Sequence, residues 1–127
     1  VLLDAQTSGF FVEKNDVVSF LEDKLTQVNL TSKEKADFIT FWGPRLMQNE
    51  LNFVHFIFNE TCDQYADLNI SPQPDRINRI YILWAPVNEK FAVSEQVIPS
   101  FDRSGFHVLE WGGQEQTLSS KTAAIWH

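Results

Sequence analysis

Residues 76–87 constrain this chain more than any other stretch, because large apolar side chains occupy both parities of one segment: Ile80, Ile82 and Trp84 alternate with Ile77, Tyr81, Leu83 and Ala85. Successive side chains of a strand point to opposite faces, so a segment apolar on both parities must be covered on both sides. That predicts an interior strand of a sheet. Pro86 lacks the N–H a ladder needs and is expected to end it. Residues 105–111 supply a companion strand, in which Phe106, Val108 and Glu110 alternate with His107, Leu109 and Trp111. Gly112-Gly113 is expected to stop that strand.

Residues 51–58 repeat the pattern, with Leu51, Phe53, His55 and Ile57 on one side and Asn52, Val54, Phe56 and Phe58 on the other. Shorter strands are expected at 9–12, at 66–70 and, as an edge strand, at 91–93. The run Ser71-Pro72-Gln73-Pro74-Asp75 combines two prolines with polar neighbours and predicts a turn.

The period changes to that of a helix after Asn15, a suitable N-cap. Val17, Phe20, Leu21, Lys24, Leu25 and Val28 follow at i, i+3, i+4 spacing, predicting an amphipathic helix that ends near Asn29. A second start is marked by Thr31 and Glu34 in a capping-box arrangement preceded by Leu30. Ala36, Phe38, Ile39, Phe41 and Trp42 then form a wide apolar face. Gly43-Pro44 predicts a kink or restart, since proline removes a helix donor and crowds the preceding turn.

The expected fold is therefore α+β: two N-terminal helices packed on a mostly antiparallel sheet. One domain over residues 1–113 is expected, followed by a loosely held C-terminal tail over 114–127 in which Ala123-Ala124-Ile125-Trp126 is a docking candidate. A chain of 127 residues, 43% hydrophobic, suits one core and not a disordered polymer.

A formal net charge of −7 argues against polyanionic partners, because Lys and Arg carry nucleic-acid affinity by neutralising phosphates. Arg76, Arg79 and Arg103 are expected to pair with carboxylates instead. No apolar run has the length of a membrane span, and the first residues lack the basic and apolar regions of a signal peptide, so a soluble domain is expected. Val1 in place of an initiator methionine fits a processed product or a piece of a longer protein. Cys62 is the single cysteine, which excludes an intramolecular disulfide. Asp63 beside it disfavours the reactive thiolate, so an inert side chain is expected.

Four separated motifs carry a resemblance: Gly9-Phe10-Phe11-Val12, Phe41-Trp42-Gly43-Pro44, the run from Ile70 to Asp75, and the run from Gly105 to Gly113. Over about residues 9–113 the chain resembles the C-terminal half of an uncharacterised family of bacterial secreted or lipid-anchored proteins. The resemblance implies an exported, secreted or cell-surface protein whose sheet a missing N-terminal region completes. It implies no activity.

The candidate sites are few. Arg79, Tyr81, His107 and Glu110 could meet on neighbouring strands, although His107 and Glu110 have opposite parity and would face opposite sides of a regular strand. Neither His55, His107 and His127 nor Glu60, Asp63 and Asp67 has the spacing of a metal site, and no cofactor is expected. Asn29, Asn59 and Asn69 head Asn-x-Ser/Thr sequons, of which Asn59 has the most exposed setting. Trp111 beside Gly112-Gly113 and Trp126 in the tail are the expected exposed rings, with Tyr81 and Arg79 as further binding residues. The function expected is a binding or interaction module without evident catalytic machinery, taking a glycan, a peptide or a protein partner. The competing reading is a hydrolase-like enzyme using His107 or His55 with nearby carboxylates, and a third is a structural half-domain with an uncovered strand edge.

Overall fold

The structure, a computed structural model, describes residue 3, residues 7–64 and residues 76–118. Its elements are β1 (Phe10–Glu13), α1 (Val17–Val28), α2 (Ser32–Leu46), β2 (Leu51–Phe58), β3 (Arg76–Pro86) and β4 (His107–Glu115), with 3-10 turns at Lys14–Asp16 and Asn59–Gln64. The sheet order is β1-β2-β3-β4, antiparallel except for the parallel pair β3/β4. This is the expected α+β arrangement of helices and a mostly antiparallel sheet. The strand expected at 66–70, the turn at 71–75, Asn69, His127 and the docking tail with Trp126 lie outside the described residues.

Both faces of the central strands are buried. On one, Val54 and Phe56 of β2 and Ile80, Ile82 and Trp84 of β3 pack with Val17, Leu21, Leu25, Val28, Phe38, Trp42 and Leu46 from the helices. The other gathers Phe53, Ile57, Tyr81, Leu83 and Ala85, covered by Leu3 and by Phe11, Val87, Phe91, Val93 and Leu118. The sequence period thus describes β2 and β3 correctly. Among the described residues Asn52, Asn78 and Arg79 are buried polar groups; Asn52 is fully buried, donates from Nδ2 to the Leu46 carbonyl at 2.8 Å and accepts from Asn49 at 2.9 Å, closing the C-terminal end of α2.

The helices follow their signals with two corrections. In α1 the N-cap is Asp16 rather than Asn15, because a 3-10 turn occupies Lys14–Asp16 before the helix begins. At its far end Asn29 takes a left-handed conformation, φ 79°, and its N–H and that of Leu30 reach back to Thr26 and Leu25. The capping box of α2 is present: Thr31 Oγ1 accepts from Glu34 N–H at 3.3 Å and Glu34 Oε1 accepts from Thr31 N–H at 2.8 Å. The restart expected at Gly43-Pro44 does not occur, and α2 continues to Leu46. Proline removes the donor that would reach Thr40, and the Arg45 guanidinium supplies one to the next carbonyl, Phe41, while lying 3.8 Å from the centre of the Phe41 ring. Ala36 and Phe41 of the expected apolar face are exposed.

Two strand expectations also change. Residues 91–93 form no strand; the Phe91 ring instead inserts against Phe11 and Phe53, with centroids 4.7 and 5.3 Å away. Gly112 and Gly113 do not end β4, which pairs with β3 as far as Glu115, so Gln114 and Glu115 belong to the sheet rather than to a tail. Glycine keeps both ladder groups, and here its missing side chain is required: a Cβ on Gly113 would lie 2.7 Å from the Ile82 carbonyl and 3.1 Å from Trp42 Cζ2.

The two sheet edges differ. Beyond β1 the connection from β3 to β4 crosses the free side of β2, where Gln96 accepts from Phe56 N–H at 2.9 Å and donates to the Phe56 carbonyl at 2.6 Å. Just before β1, Gly9 N–H donates to the Ser94 carbonyl at 3.0 Å. β4 closes the other side of the sheet with no neighbour of its own among the described residues. Among the described residues β4 is thus an edge strand of the sheet.

Candidate functional site

The four residues expected to converge divide between the two faces. Arg79 lies opposite Glu110 in the β3/β4 register and is buried, donating from Nε to Glu110 Oε2 at 3.1 Å. Tyr81, two residues along on the same face, donates to Glu110 Oε1 at 2.5 Å and accepts from Arg79 at 3.3 Å. Burial, reinforced by the hydrogen bond to Glu110, raises the Tyr81 hydroxyl above its ordinary value and keeps it protonated. The three form a closed, neutralised cluster, so Arg79 and the Tyr81 hydroxyl are held by their neighbours rather than offered to a ligand.

His107 faces the opposite side. Its Nε2 accepts from Arg103 Nε at 3.3 Å, which leaves Nδ1 to donate to the Gly105 carbonyl at 3.2 Å. His55 is half-buried with Nδ1 at 2.6 Å from the Ser8 carbonyl, and burial lowers its pKa. Both rings therefore contact backbone or arginine, where a histidine-based general base needs an orienting carboxylate.

The remaining expectations are placed as follows. Arg103 pairs with Glu34 at 2.6 Å and Arg76 with Asp102 at 3.1 Å, so the three arginines pair separately with acids. Cys62 is fully buried with its Sγ 3.6 Å from the Ile57 carbonyl. Asn29 and Asn59 use their side-chain amides internally, donating to the Phe101 carbonyl and accepting from Arg79 N–H, both at 3.1 Å. Among the described residues no three His, Cys, Asp or Glu side chains gather as a metal site, and no helix is long and apolar enough to cross a membrane.

A groove of about 640 Å³ around β4 is open to solvent. Phe41, Trp42 and Trp111 line it from the helix face, Tyr81 and Leu83 from the opposite face, and Gly112 and Gly113 form its floor. The two glycines let rings from both faces reach one edge, since neither carries a side chain to separate them. The Tyr81 ring lies 3.4 Å from where a Gly112 Cβ would stand. Trp111 is half-buried, with its centroid 5.5 Å from Phe38, 5.7 Å from Phe41 and 6.3 Å from Trp42. It is thus a wall of the groove rather than a free platform. Trp42 Nε1 is a buried donor without a hydrogen-bond partner, and the same edge of the indole faces Gly113.

Ladder alternation describes the backbone of the floor. Gln116 N–H bonds to the Trp84 carbonyl and Arg76 N–H to the Phe106 carbonyl, so even-numbered residues of β4 address β3. The N–H and C=O groups of Leu109, Trp111, Gly113 and Glu115 consequently point away from the sheet. At the end of the groove Glu115 Oε2 accepts from Trp84 Nε1 at 3.1 Å and from Asn49 at 3.2 Å, and the exposed carboxylate has no cationic partner among the described residues. Of the residues lining this groove, the sequence reading named Trp111 and Tyr81 as binding residues, took Gly112-Gly113 for a strand stop, and placed Phe41 and Trp42 on the apolar face of the second helix. The available signal was two glycines inside an otherwise aromatic strand, which marks a close approach. No protein-family model, curated protein or solved structure matches this chain.

Proposed function

We propose that this domain is a non-catalytic binding module whose ligand lies in the groove around Gly112 and Gly113. Its resemblance to exported bacterial proteins suggests work at the cell surface or outside the cell. The observation that carries the reading is the convergence of Phe41, Trp42, Trp111, Tyr81 and Leu83 on one open edge. Aromatic rings supply much contact area at little conformational cost, and apolar concavities of this size commonly hold ligands. A histidine-based hydrolase is less well supported, because His55 and His107 engage carbonyls and Arg103.

The test is selection of binders from a random dodecapeptide library and from an array of bacterial-surface glycans, each repeated with Trp111→Ala. Binders lost in the variant are expected. Absence of any Trp111-dependent binder in both screens, or hydrolysis of a simple ester abolished by His107→Ala or His55→Ala, would overturn the reading.

A further inference from the structure

Resting on the groove as a binding site, we infer that its occupant is an extended peptide segment of a partner protein, which adds to β4 as a fifth strand and places a basic side chain on Glu115. The outward N–H and C=O groups of Leu109, Trp111, Gly113 and Glu115 repeat at the spacing of a strand, and an extended backbone is the ligand that satisfies such a row. The opposite edge is closed by Gln96 and Ser94, so among the described residues the open backbone lies on the side of the aromatic groove. Long open edges are ordinarily blocked because they recruit other chains. Here the residues at the middle of the edge are glycines, and β4 carries no lysine, arginine or proline.

Charge selects the kind of segment. β4 contributes Glu110 and Glu115 as its charged side chains; Glu110 is neutralised by Arg79, whereas Glu115 is exposed and, among the described residues, met only by neutral donors. An added strand with apolar alternate positions and a Lys or Arg at one end fits both the rings and this carboxylate. A second copy fits poorly, since it would bring two chains of net charge −7 together along edges that lack a cation.

The experiment is an NMR titration of the full chain with acetyl-Lys-Thr-Val-Thr-Val-Thr-Lys-amide, whose two terminal lysines place one near Glu115 in either strand direction. Expected are shifts confined to β4, Phe41, Trp42 and Tyr81. N-methylation at the two valines or at the three threonines removes the donors of one strand edge or the other. At least one of these versions should bind more than tenfold more weakly, and binding by both as tight as the unmethylated peptide would overturn strand addition. Replacing both lysines by glutamate, or Glu115→Gln in the protein, should weaken binding about two- to fivefold, the range of an exposed ion pair. Glu115→Gln keeps the acceptor for Trp84, and no change in either arm would overturn the basic-residue assignment. A bacterial-surface glycan that shifts the same residues while the peptide does not would overturn the inference and leave the groove a binding site. A dimer through β4 that excludes the peptide would assign the edge to a second copy. Absence of groove binding by any probe would remove the underlying reading as well.

Discussion

Arg103 holds Glu34 by donating to both carboxylate oxygens, at 2.9 and 2.6 Å, although the two residues are 69 positions apart. Glu34 is at the same time the reciprocal half of the capping box that starts α2. One carboxylate therefore ties the connection before β4 to the first turn of a helix, and Arg103 also donates to the Asn29 carbonyl at 3.1 Å.

Removing that carboxylate removes a cap and a bidentate pair together. Glu34→Ala is expected to cost about 2 kcal/mol and Thr31→Ala about 1 kcal/mol, measured by urea denaturation. The double variant should lose less than the sum, because both singles break the same box. Full additivity would refute the coupling.

Among the described residues, His55 and Glu34 each make the fold sensitive to acid. Burial lowers His55 below its ordinary value of 6.5, so the unfolded chain takes the proton first; this contribution is whole above pH 6.5 and declines as pH falls below it. Burial alone would raise Glu34, but the bonds from Arg103 and Thr31 outweigh it and lower the group below its ordinary 4.5. Its contribution is present above that value and is lost as pH falls through the folded value. Denaturation midpoints measured from pH 7.5 to pH 3 should fall in two stages. His55→Gln should flatten the first stage and Glu34→Gln the second.

The adjacent glycines of β4 should respond unequally to alanine. At Gly113 the new methyl would meet the Ile82 carbonyl at 2.7 Å, and backbone cannot give way cheaply; a loss of about 2–3 kcal/mol is expected. At Gly112 the nearest atoms are those of the Tyr81 ring at 3.4 Å, an ordinary contact, so the change should stay within about 0.5 kcal/mol. Thermal melts of the two variants decide this, and equal losses would contradict the packing described.

Breaking the Arg79–Glu110 pair from one side leaves the other charge with little solvent. Arg79→Met or Glu110→Leu alone should cost about 3 kcal/mol, and the joint replacement Arg79→Met with Glu110→Leu should cost less than the sum of the two. A chemical-denaturation cycle in which the pair of changes costs the full sum would argue that the ion pair contributes nothing as a unit.

Much of the architecture follows from local pattern. Alternation placed both faces of β2 and β3, and the Thr31/Glu34 spacing placed the start of α2, because burial parity and capping depend on neighbours a few positions away. The break expected at Pro44 and the stop expected at Gly112-Gly113 rested on propensity. α2 nevertheless runs through Pro44 to Leu46, and at the glycines tertiary context overrode propensity, since β3 offers β4 a partner ladder as far as Glu115.

The chain's own order of residues thus determined that two helices would cover one face of a sheet and that large rings would crowd its centre. Which edge stays open, which rings reach it and which acid each arginine takes were decided only in three dimensions. Phe41, Tyr81 and Trp111 come from separate elements, and Gln96 closes an edge 40 residues away. Such meetings depend on strand order and register, which side-chain periodicity within a single segment does not encode.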